Sequence, residues 1–180
     1  RWPDPDGSMN LYVFQVLNGL GVGMIYFLLS VGLSIIFGLL GFVNFAHGAL
    51  FLVGAYTAMF ITDQTGSFAL GLAASFAIVA LVGVMAERVV LRRTYRMPHE
   101  AQILVTVGLT FILTEAIVLF FGPEPRQVSM PDVLHGVLSL GAYPIPKYRV
   151  FIFVTCAVIG MALWLLFERT WFGGRVRAGK

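Results

Sequence analysis

The chain has 180 residues, of which 58% are hydrophobic and only 12% charged, with a mean hydropathy of +0.87. A soluble globular domain carries about 25% charged residues, so composition excludes that class. The balance is basic, with net charge +3, yet Lys and Arg gather at the ends of apolar runs rather than along a stripe. That placement argues against a nucleic-acid partner and for a lipid bilayer.

Residues 1–10 are expected to be a flexible extracytoplasmic extension, because the first eight lack the basic, apolar and small-residue parts of a signal peptide. Residues 11–180 are expected to form one transmembrane domain. No Asp, Glu, Lys or Arg lies between Asp6 and Asp63, and none from Gln64 to Ala86. A crossing helix needs about 20 residues at 1.5 Å each, so the first run holds two spans and the second holds one. The fold class predicted is all-α, a polytopic bundle of about five transmembrane helices. The spans fall within Leu11–Leu40, from Ala46 or Ala49 to Thr62, and over Phe68–Val90, Ala101–Phe121 and Arg149–Phe167. Asp63–Ser67 and Arg92–Glu100 read as polar turns. Gly122–Tyr148, rich in Pro and Gly, reads as a longer loop.

Charge placement sets the orientation. Arg88, Arg92, Arg93, Arg96, Arg169, Arg175, Arg177 and Lys180 fall on one side, eight of the twelve basic residues. Arg1, Arg126, Lys147 and Arg149 fall on the other, accompanied by most of the acids. The N-terminus is therefore expected outside and the C-terminus inside.

Between the first two spans, Gly38, Gly41 and Gly48 mark a break or a re-entrant stretch. Irregular backbone at membrane depth is tolerated where it is buried in protein or lines a water-filled cavity. Asn44 and His47 lie in this stretch, where His47 could equally brace the broken backbone. Other intramembrane polar groups are Gln15 and Asn18, three apart on one face, and Glu115. Thr106, Thr110 and Thr114 recur along one face and could simply bond their own helix carbonyls. Small residues four apart, Gly19 and Gly23, Ser30, Ser34 and Gly38, and Gly54 and Ala58, let helix backbones approach closely. No phosphate-binding loop, nucleophile motif or metal-ligand spacing occurs, so no catalytic residue, metal or cofactor is expected. The single Cys156 reads as a buried thiol.

Several stretches resemble the branched-chain amino-acid ABC transporter permease family, LivH type. Asn18 to Tyr26 and Gly32 to Gly38 lead into Val43 to Tyr56, where Asn44-Phe45-Ala46-His47-Gly48 matches the family's hallmark. Glu87-Arg88-Val89-Val90 and Ile103 to Leu109 are similar to two further family segments, and Arg169 to Ala178 resembles a third. Arg92-Arg93 stands where the family usually has Arg-Pro. The resemblance implies an importer subunit, the N-terminal portion of a permease that ends before its coupling loop, in a bacterial or archaeal cytoplasmic membrane. The partners implied are a second permease subunit (LivM type), cytoplasmic ATPase subunits and an extracytoplasmic solute-binding protein. The translocation path or gate implied is Asn44, Phe45, His47 and Gly48, with Asn18, Thr106 and Thr110. Urea or short-chain amides are alternative solutes, and a structural or regulatory membrane subunit is the alternative role.

Overall fold

The computed structural model describes residues 5–124, 134–140 and 143–169. Its elements are α1 (Pro5–Leu40), α2 (Ala46–Thr65), α3 (Phe68–Ala86), a π-helical turn (Glu87–Leu91), α4 (Arg92–Thr94), α5 (His99–Phe121), the strands β1 (Val137–Leu140) and β2 (Tyr143–Pro146), and α6 (Lys147–Arg169). The contacts divide the chain into two units, Arg1–Ser34 with Asp132–Lys180, and Ile35–Pro131.

Among the described residues, four helices are long and apolar enough to cross a membrane: Phe14–Gly38, Phe68–Thr94, His99–Phe121 and Lys147–Arg169. These match four of the five expected spans. The remaining one, α2, forms a 20-residue helix, but His47, Thr57, Thr62, Asp63, Gln64 and Thr65 dilute its apolar character. α1 begins at Pro5, so residues 5–10, expected to be an extension, are helical. Proline suits a first helical turn, where its missing N–H is not needed and its φ is preset.

In the second unit, α2 and α3 form a tight antiparallel pair. Gly66 closes α2 in the left-handed conformation (φ 69°), its N–H bonded to Thr62 O at 2.8 Å. Ser67 then caps α3 through its hydroxyl, which accepts from Leu70 N–H at 3.4 Å. Two glycines set the spacing. A Cβ on Gly71 would stand 2.2 Å from Thr62 Oγ1 and 2.6 Å from Ala58 O, and one on Gly54 would meet Ser75 Oγ and Val79 Cγ2 at 3.1 Å. Ser75 Oγ donates across the pair to Gly54 O at 2.9 Å. At the far end Ala46, wholly buried, packs with Ala86 of α3 and Leu109 of α5. The Gly54 and Ala58 face is thus an internal helix contact, whereas Gly19, Gly23 and Gly38 have open space at their Cβ positions.

The helix from α3 into α4 is continuous but not regular. Arg92 N–H bonds Glu87 O, five residues back, so one extra residue is taken up in a π turn. α5 joins the pair through Phe121, whose ring lies 5.1 Å from Tyr56 and 5.9 Å from Phe60.

In the first unit, part of the expected Gly122–Tyr148 loop is a hairpin. β1 and β2 pair antiparallel, Val137 opposite Pro146 and Leu140 opposite Tyr143. Pro144 and Pro146 are tolerated because a two-stranded ribbon has only edges. Lys147 N–H bonds Gly136 O at 3.1 Å, tying the ribbon to the start of α6. The tail from residue 170, which carries most of the last family-like segment, lies outside the described residues.

Gly71→Ala is expected to destabilise the detergent-solubilised protein by about 1–3 kcal/mol, because the new methyl has no room. Gly83→Ala, in the same helix with nothing within 4 Å of its Cβ, is expected to be neutral or stabilising. Thermal unfolding of the two variants side by side checks this.

Candidate functional site

α1 stops where Gly41 turns left-handed (φ 74°) and bonds Phe37 O at 2.8 Å. The chain then turns back into the protein. Phe42 is buried, its ring 6.4 Å from that of Tyr95. Asn44 is buried too, and its Oδ1 accepts from Ala46 N–H at 3.0 Å while its carbonyl accepts from His47 N–H at 3.2 Å. Phe45 already has helical backbone angles, so Asn44 acts as the cap of α2. The break is therefore residues 41–45, narrower than the sequence suggested, and its one buried amide is committed to backbone.

Packing places this element along its neighbours. Ala46 packs against Ala86 of α3 and Leu109 of α5, so α2 begins among these helices, beside the point where the uncharged run of α3 gives way to Glu87 and Arg88. Its first turn presents the positive end of a helix dipole, with the Ala46 and His47 N–H groups already bonded to Asn44. His47 there is half-buried, with no hydrogen bond to its imidazole among the described residues, and Phe45 and Gly48 are exposed.

The threonines expected in the path bond within their own helix. Thr106 is completely buried, and its Oγ1 donates to Ile103 O at 2.9 Å. Thr110 Oγ1 donates to Thr106 O at 2.9 Å, the self-bonding common for Thr in apolar helices. Glu115, one turn beyond Phe111, is exposed on α5. Among the described residues no group of three or more His, Cys, Asp or Glu could hold a metal ion. Cys156 is buried.

Asn18 belongs to the other unit, and there the structure reveals a residue whose role the sequence did not show. Arg149, counted among the outer-side cations, is 4% exposed. Its guanidinium donates to Asn18 Oδ1 at 3.2 Å, Phe14 O at 3.1 Å and Tyr148 Oη at 3.1 Å. Its Cζ also stands 4.1 Å from the centre of the Phe14 ring. Phe14 and Asn18 are four apart on α1, so one guanidinium grips a single face of that helix. Gln102 was also missed. Its Nε2 donates to Thr94 O and Met97 O, both at 3.1 Å, stapling the turn before α5. A polar side chain four residues after Pro98, at the start of an apolar run, was the available signal.

Comparison with known proteins decides the family. A model of the branched-chain amino acid transport system permease component matches residues 15–179. The chain belongs to that family. It is 26% identical to the high-affinity branched-chain amino acid transport system permease protein BraD of Pseudomonas aeruginosa, covering 93% of this chain and 58% of that protein. LivH of Escherichia coli K12 is 26% identical over 72% of this chain and 44% of its own length, and LivH of Salmonella typhimurium is 24% identical over 73% and 45%. The chain thus spans about half the length of the curated relatives it matches. No solved structure matches it. With four membrane-length helices, this member of the permease family is a multi-pass membrane protein.

Arg149→Gln removes three charge-assisted hydrogen bonds and the ring contact, and is expected to destabilise the protein by about 2–4 kcal/mol. Arg149→Lys is expected to recover less than half of that, because an ammonium lacks the fork. Thermal unfolding, with Asn18→Ala as the partner mutation in a double-mutant cycle, measures the coupling.

Proposed function

We propose that this chain forms part of the permease of an ABC importer for branched-chain amino acids, moving solute by alternating access driven by separate ATPase subunits. The family match and the names of the relatives support the class. One observation carries the site: Ala46, the first residue of α2, is held against Ala86 and Leu109, so the break before it is seated among the helices. A broken-helix N-terminus packed among membrane helices suits the carboxylate of an amino acid, and no covalent chemistry is required. On this reading Asn44, Phe45, His47 and Gly48 form the path or gate. Asn44 holds the backbone, while His47 and Gly48 face the solute. Thr106 and Thr110 are candidates on α5, and Asn18, exposed with its amide oxygen accepting from Arg149, is a separate candidate on α1.

The pairing of α2 with α3 also bears on topology. Twenty residues make about 30 Å, and α2 runs beside α3 from Gly66 back to Ala46. If α3 crosses, α2 crosses with it, giving five spans, an N-terminus outside and both arginine-rich regions inside. The membrane is then the cytoplasmic membrane of a bacterium or archaeon. The partners are a second permease of the LivM type, cytoplasmic ATPases and an extracytoplasmic binding protein, and the permease itself is not an enzyme.

The test is uptake of labelled leucine and labelled urea by the full-length permease in its complete complex. His47→Leu is expected to reduce leucine uptake at least ten-fold with little change in thermal stability. Asn44→Ser, which can still cap, is expected to stay within about three-fold of the parent, whereas Asn44→Leu loses uptake and stability together. Urea uptake without leucine uptake reassigns the solute. Full uptake by both His47→Leu and Asn44→Leu would sink the path.

A further inference from the structure

The short segment between the π turn and α5 carries a second feature that the transport reading does not use. Arg88, Arg92, Arg93 and Arg96 are all exposed within nine residues, with His99 exposed beyond them. None of the four guanidinium groups makes an ion pair among the described residues. The faces are sharply divided. Leu91 and Thr94 turn inward, 5% and 3% exposed, and the arginines are left outside.

The backbone presenting them is fixed. Thr94 Oγ1 donates to Leu91 O at 2.8 Å, Met97 N–H to Thr94 O at 2.8 Å, and Gln102 Nε2 spans Thr94 O and Met97 O. Two acids flank the four arginines, Glu87 and Glu100, which leaves the cluster cationic. Glu87 Oε2 accepts a short hydrogen bond from Tyr95 Oη. Burial and that carboxylate push the Tyr95 hydroxyl up to about 12, so it remains a donor at any physiological pH. Glu100, exposed, lies in the first turn of α5, where a carboxylate favours the helix dipole.

We propose that this turn is a binding site for anionic phospholipid headgroups, with Arg92, Arg93 and Arg96 holding the phosphates. The position favours lipid over a soluble protein partner. The cluster sits between the ends of two membrane-length helices, Phe68–Thr94 and His99–Phe121, at the level where headgroups lie. Exposed Val89, Tyr95 and Met97 alternate with the arginines, giving the apolar and aromatic contacts of a membrane boundary. Guanidinium forks match phosphate oxygens in pairs, which an ammonium cannot do. The proposal rests on the membrane placement and not on the solute, so its failure leaves the transport reading intact.

The experiment is native mass spectrometry of the delipidated full-length permease in its complex, titrated with phosphatidylglycerol or phosphatidylcholine. Apparent affinity for phosphatidylglycerol is expected to fall about five-fold for each arginine replaced by Gln at positions 92, 93 and 96. Phosphatidylcholine binding is expected to stay unchanged. The parent protein is also expected to lose phosphatidylglycerol preference as salt rises from 0.05 to 0.3 M, a readout that needs no variant to fold. Arg92→Lys/Arg93→Lys/Arg96→Lys is expected to retain part of the preference. Equal binding of the two lipids by the parent protein overturns the proposal. So does a triple Gln variant that keeps its phosphatidylglycerol affinity but loses the ATPase subunits on purification, which would assign the surface to a protein partner.

Discussion

The close approach of α2 and α3 at Gly54 and Gly71 determines where everything else in the second unit can lie. With a Cβ on Gly71 only 2.2 Å from Thr62 Oγ1, any side chain would force the helices apart. The Ser75 hydroxyl bond to Gly54 O would then stretch beyond use. In a lipid environment no hydrophobic drive favours helix association, so contact at the backbone and a few interhelical hydrogen bonds must supply it. Because α2 is held along α3, its first residue meets Ala86 and Leu109. The polar break is therefore positioned by helix packing, not by its own sequence.

Once there, the break must satisfy its own backbone, and it does so economically. Gly41 ends one helix with a left-handed turn, and Asn44 starts the next with its amide oxygen. That division of labour leaves the first turn of α2 with a half-buried imidazole, an exposed glycine and a helix dipole. The first unit solves a different problem. There a buried guanidinium, usually costly, is spread over an amide, a carbonyl, a phenol and an aromatic face, so that Arg149 ties the start of α6 to one face of α1.

Much of this was legible in the sequence because charge is so scarce. Uncharged runs located the spans, and the glycines with Asn44 and His47 located the break. What the sequence left obscure depends on tertiary contact. α2 reads as a weak span because its last turn is polar, and only its pairing with α3 shows how far it runs. Arg149 looked like an outer-side cation, since nothing local reveals that its arm folds back onto a helix more than 130 residues away. The hairpin was hidden by prolines, although Leu140-Gly141-Ala142-Tyr143 offered a two-residue connection with glycine first. The Thr106 and Thr110 face had two readings, and the structure shows both hydroxyls bonded to their own helix.

The central proposal is that the start of α2 has one side open to a water-filled path. Single cysteines at positions 42 to 49 of the full-length permease, in a Cys156→Ser background, would be probed with a membrane-impermeant maleimide in the assembled complex. Residues 47 and 48 are expected to react and to be protected by leucine. Positions 42, 46 and 49, where Phe42, Ala46 and Ala49 are buried, are expected to stay unreactive. Uniform reactivity across the stretch, or none at 47 and 48, would contradict the account.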